Sequence, residues 1–282
     1  MARHTTFRIG GPAALLLICD SLSDLSHSLE ILAEEGVEWT VLGKGSNVVV
    51  PDEGYGGAVI VLGREFKRHH TDGERIQSGS GVILAALVQD SYSRGLSGLE
   101  FGVGIPGTVG GALAMNAGTR DEWIGSRVET VTLFSPGRGL VVVRGVEVEW
   151  GYRISGLPDM GVVVECAFAL DHGDKAMIRR DMDARFLSRK ATQPMGLPTA
   201  GSVFVNPTGD SAGRLIESAG LKGLRFGGAQ VSEVHANFIV NVGGATATEV
   251  LALVDHIRKV VIREHGIELQ TEIRVLGGPI RA

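Results

Sequence analysis

Five short stretches of this 282-residue sequence hold residue types that could do chemistry. Two are glycine loops. Gly43-Lys44-Gly45-Ser46-Asn47 follows an apolar run, and Gly104-Ile105-Pro106-Gly107-Thr108-Val109-Gly110-Gly111 enters a helical pattern and is followed by Asn116-Ala117-Gly118. Successive backbone N–H groups with no side chain in the way bind anions, and a helix N-terminus adds its dipole. Either loop alone reads as an ordinary tight turn; two in one region point to a diphosphate cradle.

The other three stretches carry polar side chains. In Ala200-Gly201-Ser202-Val203-Phe204-Val205-Asn206-Pro207, Gly201 permits close approach of a ligand and Ser202 offers a hydroxyl. If Ser202–Val205 is a strand, Asn206 lies on the same face as Ser202. The stretch reads equally as a strand running into a turn with Ser202 exposed. No G-x-S-x-G elbow surrounds the serine, which argues against a serine hydrolase. Tyr152-Arg153 sits in an apolar stretch, and Glu272 and Arg274 share a face of the last strand. Charges in apolar strands cost folding energy unless paired or at an edge, so these are edge ions or site residues.

Some patterns mislead. Gly102 to Gly107 matches G-x-G-x-x-G with Glu122 about twenty residues on, but Leu96–Phe101, holding Ser97, Gly98 and Glu100, is no strong strand, and the match comes mid-chain. A Walker loop fails because Gly45 follows Lys44 and Glu38 occupies the first glycine position. The eight histidines lack ligand spacing, and Cys19 and Cys166 are too few for a metal site or disulfide framework. No metal is expected.

The elements that must position these groups follow from periodicity. Ala13–Cys19 reads as a strand, Ser21–Gly36 as a helix capped by Ser21 and stopped by Gly36, and Trp39–Leu42 as a strand feeding the first glycine loop. A strand near Arg75–Gly79, a helix from Val82 to about Arg94, and strands at Val128–Phe134, Leu140–Val143 and Val162–Leu170 follow. Asp174–Lys190 is a charged helix ending at Pro194 and Pro198, which mark a boundary. Beyond lie a strand (Ser202–Val205), a helix (Ser211–Ser218), a strand (Ala236–Asn241), a helix (Thr246–His265) and a last strand (Glu268–Leu276). Arg3 and Arg8 before Ala13–Cys19 mimic a signal peptide, but the apolar run is short and Ile18 is bulky where a small residue should precede cleavage. A net charge of −5 with no basic run disfavours nucleic-acid binding, and no apolar stretch is long enough for a membrane span. A cytoplasmic protein acting on a small molecule is expected. Glycine, 41 of 282 residues, is about twice its usual ~7%, so many positions need bare backbone.

These stretches, with Thr6-Phe7-Arg8-Ile9-Gly10-Gly11, Met115-Asn116-Ala117-Gly118, Gly151-Tyr152-Arg153-Ile154-Ser155, Gly220-Leu221-Lys222-Gly223, Gly227–Ser232 and His235-Ala236-Asn237-Phe238, together resemble the UDP-N-acetylenolpyruvoylglucosamine reductase family of bacterial peptidoglycan precursor synthesis. The resemblance runs along almost the whole chain in the family's order. It implies an α+β fold: a two-part FAD-binding region of the vanillyl-alcohol-oxidase/PCMH kind over 1–186, with sub-parts of about 1–62 and 63–186, and a separate α+β substrate-binding domain over 187–267. The strand at 268–282 would return near the active site.

The implied cofactors are FAD and NADPH, and the implied substrate is a UDP-sugar, the enolpyruvyl ether of UDP-N-acetylglucosamine. NADPH reduces FAD; a hydride then reaches the vinyl terminus and a proton is added beside the carboxylate, giving UDP-N-acetylmuramate. Carried over residue by residue, FAD is held by Gly43, Lys44, Gly45, Ser46, Asn47, Gly104, Ile105, Pro106, Gly107, Thr108, Gly110, Gly111, Asn116 and Gly118. Ser202 is the proton donor, Arg153 holds the substrate carboxylate and Glu272 is the catalytic glutamate. Tyr152, Asn206, His235 and Arg274 contact substrate. Two departures stand out. Thr192-Gln193-Pro194 replaces the lysine-bearing K-x-P stretch that meets the diphosphate, leaving Arg189 or Lys190 for that contact. Leu170 to Arg185 is short and has no tyrosine, as in the family's shorter class. The rivals are another FAD oxidoreductase of this scaffold, acting on an alcohol or hydroxy acid, and a catalytically silent nucleotide-sugar-binding protein.

Overall fold

The computed structural model describes residues 1–278; the expected strand at 268–282 therefore lies partly outside the described residues. The chain folds into two compact units. A central unit holds Leu15–Lys44 and Ala58–Ser188; a terminal unit holds Met1–Ala14, Gly45–Gly57 and the chain from Arg189 on. Among the described residues the α-helices are α1 (Leu22–Glu34), α2 (Leu84–Ser93), α3 (Val109–Ala114), α4 (Leu157–Met160), α5 (Lys175–Thr192), α6 (Ala212–Ser218) and α7 (Ala247–His265). None is long and apolar enough to cross a membrane.

In the central unit α1 begins where its capping pattern dictates. Ser21 Oγ accepts the Asp24 N–H (3.1 Å) and the Asp24 carboxylate accepts the Ser21 N–H (3.0 Å), a capping box that satisfies two end donors. The helix then buries Leu25, Leu29 and Leu32 against Cys19, Ile60, Leu62 and Val164, each such leucine contributing about 1.5–3 kcal/mol. The expected strand, helix, strand unit is present, with a strand between its two strands: the sheet order is Ala13–Cys19, Tyr55–Leu62, Trp39–Val41. Tyr55–Leu62 escaped sequence reading because two glycines open it and its apolar run, buried on both faces, does not alternate.

The larger sheet of this unit has five antiparallel strands in the order His69–Asp72, Arg75–Gly79, Val162–Ala169, Val128–Ser135, Gly139–Arg144. Ile76, Val131, Leu133 and Phe168 pack with Leu84, Leu87 and Val88 of α2 and Val109 and Leu113 of α3. Cys166 joins this core, and burial pushes its thiol far up, so it is a small apolar group.

The terminal unit has a four-stranded antiparallel sheet in the order Thr199–Ser202, Phe238–Asn241, Ala229–Val231, Arg225–Phe226. α7 presents Val250, Leu253, Val254, Ile257 and Val261, a helical stripe, to the core that holds Phe204, Leu215 and Ile239. Phe7, Ile9 and Val49 are buried in this same core, which is why 1–14 and 45–57 pack here although the sequence suggests a continuous first region. Two expected strands are displaced. The strand expected at Ser202–Val205 is Thr199–Ser202; a register shift lies inside it, where Gly201 takes φ +80°, and Ser202 still pairs with Phe238. The last strand shrinks to Arg274–Val275, parallel to Val48–Val49, with one isolated bridge from Thr271 to Phe204.

Asp52 anchors the 45–57 segment to α7. Its carboxylate accepts the N–H groups of Ala247 (2.8 Å) and Thr248 (2.9 Å) and the Thr248 hydroxyl (2.7 Å). Burial pushes this carboxyl up, but the bonds from Thr248 and Ala247 outweigh it and hold it below the usual 3.8. Asp52→Ala is expected to cost about 1–2 kcal/mol at pH 7. Because the folded-state value is depressed, the advantage of the native residue is full above the unfolded carboxyl range and fades as pH falls through the folded value. Denaturant melts of both proteins at neutral pH and at successively lower pH check this.

Candidate active site

The two glycine loops meet within the central unit. Trp39–Val41 feeds Gly43 and Lys44, and a Cβ added at Gly43 would lie 2.5 Å from Thr108 Oγ1. Thr108 caps α3 by accepting the Gly111 N–H (3.3 Å). The Gly110 N–H donates to the Ser80 carbonyl (2.8 Å) and the Val109 N–H to the Val82 carbonyl (2.9 Å). The first donors of this six-residue helix are thus spent inside the protein, contrary to a simple helix-end anion site. Gly110 is needed for packing: a Cβ there would sit 2.8 Å from Ser80 Cβ. The surface left at the junction is exposed Gly43, Lys44 and Pro106 with half-exposed Gly104 and Ile105, and Gly104 and Gly107 both have positive φ (+74° and +147°).

Sequence reading missed Ser80 at this junction. It is 2% exposed, and its hydroxyl has no hydrogen-bond partner. Burying an unpaired hydroxyl costs about 1–3 kcal/mol, a cost that a bound ligand would remove. The available signal was Ser78-Gly79-Ser80-Gly81, a third glycine loop between a strand and a helix.

Tyr152 and Arg153 form the two-residue turn of a hairpin in which Trp150 pairs with Ser155 and Gly151 with Ile154. Arg153 takes φ +62°, a left-handed conformation costing a non-glycine residue about 1–2 kcal/mol. The guanidinium groups of Arg120 and Arg153 lie 5.4 and 5.7 Å from the centroid of the Tyr152 ring. Two cations thus lie against one exposed aromatic ring. Asn116, expected at the cofactor, directs its amide elsewhere: Nδ2 donates to the Gly151 carbonyl (2.8 Å) and Oδ1 accepts the Gly125 N–H (3.2 Å). Gly118 closes the turn to Trp123, where a Cβ would lie 2.2 Å from the Glu122 carbonyl oxygen.

The terminal unit gathers Ser202, Glu272, Ser46 and Asn47. The Glu272 N–H donates to the Val203 carbonyl (2.7 Å), Asn47 Nδ2 donates to the Glu272 carbonyl (2.9 Å), and the Arg274 N–H donates to the Asn47 carbonyl (3.0 Å). A Cβ at Gly201 would approach the Ser46 carbonyl oxygen to 3.7 Å. Ile273 is buried between half-exposed Glu272 and Arg274, but the strand begins only at Arg274, so the two charges do not share a strand face as expected. Gly45 packs against the His4 carbonyl, where a Cβ would come within 2.4 Å.

Asn206 does not share a strand face with Ser202, since the strand ends at Ser202; its Oδ1 accepts the Ala212 N–H at the start of α6 (3.0 Å). His235 reaches the same helix through Gly213, where a Cβ would meet its ring at 2.8 Å. His235 Nδ1 accepts the Asn237 N–H (3.2 Å), which leaves the proton of the neutral ring on Nε2. Burial, reinforced by Lys222 and opposed by Glu217, holds His235 below its usual 6.5, so it offers a neutral N–H donor.

Residues 193–276 match the family model described as UDP-N-acetylenolpyruvoylglucosamine reductase, C-terminal domain, and residues 13–142 match an FAD binding domain. A UDP-N-acetylenolpyruvoylglucosamine reductase of Heliobacterium modesticaldum is 46% identical over 98% of this chain and 89% of its own length. The chain belongs to the UDP-N-acetylenolpyruvoylglucosamine reductase family. A Bacillus subtilis member is 41% identical over 99% of this chain and 92% of its own. The crystal structure of the Thermus caldophilus reductase superposes with a TM-score of 0.87 at 40% identity, covering 98% of this chain and 96% of that one.

The expected fold class stands: an FAD-binding domain followed by the family's C-terminal domain, both mixed α and β. The glycine junction and Ser80 fall inside the FAD-domain match, whereas Ser202, Asn206, His235, Glu272 and Arg274 fall inside the C-terminal match. The hairpin bearing Tyr152 and Arg153 lies between the two matched ranges.

The orphaned hydroxyl and the exposed bare backbone fit a dinucleotide cofactor. Ser80→Ala should therefore act in opposite directions on the two states. Cofactor-free protein gains about 1 kcal/mol by losing a buried unpaired group, while FAD affinity falls about 3- to 10-fold through one lost hydrogen bond. Thermal melts without FAD and flavin titrations check both signs; a loss of apo stability would sink the assignment.

Proposed function

We propose that this protein reduces UDP-N-acetyl-3-O-(1-carboxyvinyl)glucosamine to UDP-N-acetylmuramate with NADPH, in the cytoplasm, as a step of peptidoglycan precursor synthesis. The observation that carries this is identity of 40–46% along nearly the whole chain to proteins of that name.

Bound FAD would supply the hydride relay, from NADPH to the vinyl carbon of the substrate. Gly43, Lys44, Gly104–Thr108 and Ser80 would hold the cofactor, with Gly45, Ser46 and Asn47 continuing the first loop. The protein's remaining task is to manage the charge that collects beside the substrate carboxylate and to add a proton there. Arg153 is suited to grip that carboxylate, because its planar fork presents parallel donors and keeps its charge. Ser202 Oγ is the proposed proton donor: a hydroxyl is a weak acid, but a carbon with enolate character is basic enough to take its proton. Glu272 helps if it is protonated or orients the donor, since an ionised carboxylate would oppose the developing anion. Tyr152, Asn206, the Nε2–H of His235 and Arg274 are donors for the sugar, the diphosphate or nicotinamide.

The test is an aerobic spectrum of FAD-loaded protein followed by NADPH consumption with and without the enolpyruvyl substrate. Flavin absorbance and substrate-dependent NADPH oxidation are expected. Protein that takes up no FAD, or that oxidises NADPH at one rate with or without substrate, would contradict the proposal.

A further inference from the structure

We infer that Asn116 is a positioning residue for Arg153, acting through the hairpin, and not a contact to the cofactor; this rests on the proposed role of Arg153 at the substrate carboxylate. Asn116 is 5% exposed and both ends of its amide are engaged, Nδ2 with the Gly151 carbonyl and Oδ1 with the Gly125 N–H. Gly151 is the residue immediately before the Tyr152–Arg153 turn. The clamp closes on itself, because the Trp150 ring covers Gly125 so tightly that a Cβ there would lie 2.4 Å from Cδ2. The far strand is tied down as well: Ser155 Oγ donates to the Ala114 carbonyl (3.3 Å), two residues before Asn116. Trp150 Nε1 fixes the near strand to the Gly145 carbonyl (2.8 Å).

Such a hold is needed because the turn is uphill. Arg153 at φ +62° persists only if its surroundings over-determine it. Asn116 itself sits at φ +44°, a region asparagine tolerates better than other non-glycine residues. Only an amide of this size supplies one donor and one acceptor there. Aspartate would set an anion against the Gly151 carbonyl, and an aliphatic side chain would leave two buried backbone groups unpaired. The short helix α3 therefore joins the glycine loop at its start to the arginine hairpin at its end.

A double-mutant cycle of Asn116→Asp and Arg153→Ala on FAD-loaded enzyme tests this, reading FAD affinity, flavin reduction by NADPH, and reoxidation of the reduced enzyme by enolpyruvyl substrate. Asn116→Asp is expected to leave FAD affinity and flavin reduction within about twofold and to slow reoxidation about 10- to 100-fold, the scale of a misplacement near 1 Å. In the Arg153→Ala background the same substitution should change reoxidation less than about twofold, since interacting sites are non-additive. Losses that multiply, or an equal loss of FAD affinity in both backgrounds, would overturn the inference. Arg153→Ala with unchanged reoxidation would instead remove the role proposed for Arg153. If Asn116→Asp does not melt cooperatively, Ser155→Ala takes its place in the cycle; a reoxidation loss present with Arg153 and absent without it supports the hold, and an additive loss refutes it.

Discussion

Replacing Ser202 with alanine is expected to leave reduction of the flavin by NADPH nearly intact and to slow reduction of the enolpyruvyl substrate about 10²- to 10⁴-fold, the usual worth of a positioned proton donor. The fold should not register the change. Ser202 ends a strand whose neighbours are fixed without its hydroxyl: Thr199 Oγ1 donates to the Ile239 carbonyl (2.7 Å), the Val203 N–H to the Asn237 carbonyl (2.8 Å), and the Asn237 amide both gives to and takes from Phe204 (2.8 and 2.9 Å). Removing one half-exposed oxygen from so well-held a frame should alter stability by less than about 0.5 kcal/mol. Rapid-mixing measurement of the two half-reactions separates the outcomes. Equal slowing of both, or slowing of flavin reduction alone, would show that the serine serves the cofactor and not the proton. Glu272 is tied to this frame through the Val203 carbonyl, so its substitution should also spare flavin reduction.

Where local physics decides structure, the sequence was easy to read. Ser21 with Asp24 and Thr246 with Glu249 are capping boxes at the starts of α1 and α7, and Gly36 and Gly266 close those helices at φ +63° and +68°. Legibility failed where partners distant in sequence decide. Tyr55–Leu62 is a strand because it is enclosed between two others, and the Ser202 strand runs over Thr199–Ser202 because its pairing is set by the distant strand Phe238–Asn241. A Cβ at Gly111 would meet only Thr108 Oγ1 at an ordinary 3.5 Å, and spacing cannot say which glycines need bare backbone or what approaches them. At Gly45, Gly110 and Gly118 it is the chain itself: the His4 carbonyl, Ser80 and the Glu122–Trp123 turn. Ser80 shows the converse, since an unpaired hydroxyl becomes visible only when the atoms around it are placed.

Arg153 offers the sharpest separation of stability from activity. At φ +62° a glycine is free of the Cβ strain that arginine bears, about 1–2 kcal/mol, although it also gives the unfolded chain more freedom, worth about 0.4–1 kcal/mol. Arg153→Gly is therefore expected to keep or slightly raise the melting temperature. Reoxidation by substrate should fall about 10²- to 10³-fold, the cost of removing a positioned donor to a developing oxyanion, while flavin reduction is retained. Arg153→Lys should fall between, because it keeps the charge but loses the planar fork and carries the same backbone strain. Calorimetry and single-turnover reoxidation on the three proteins give a clear ordering. Were Arg153 an ion that serves the fold alone, the order would invert: the glycine variant would melt lower and turn over normally.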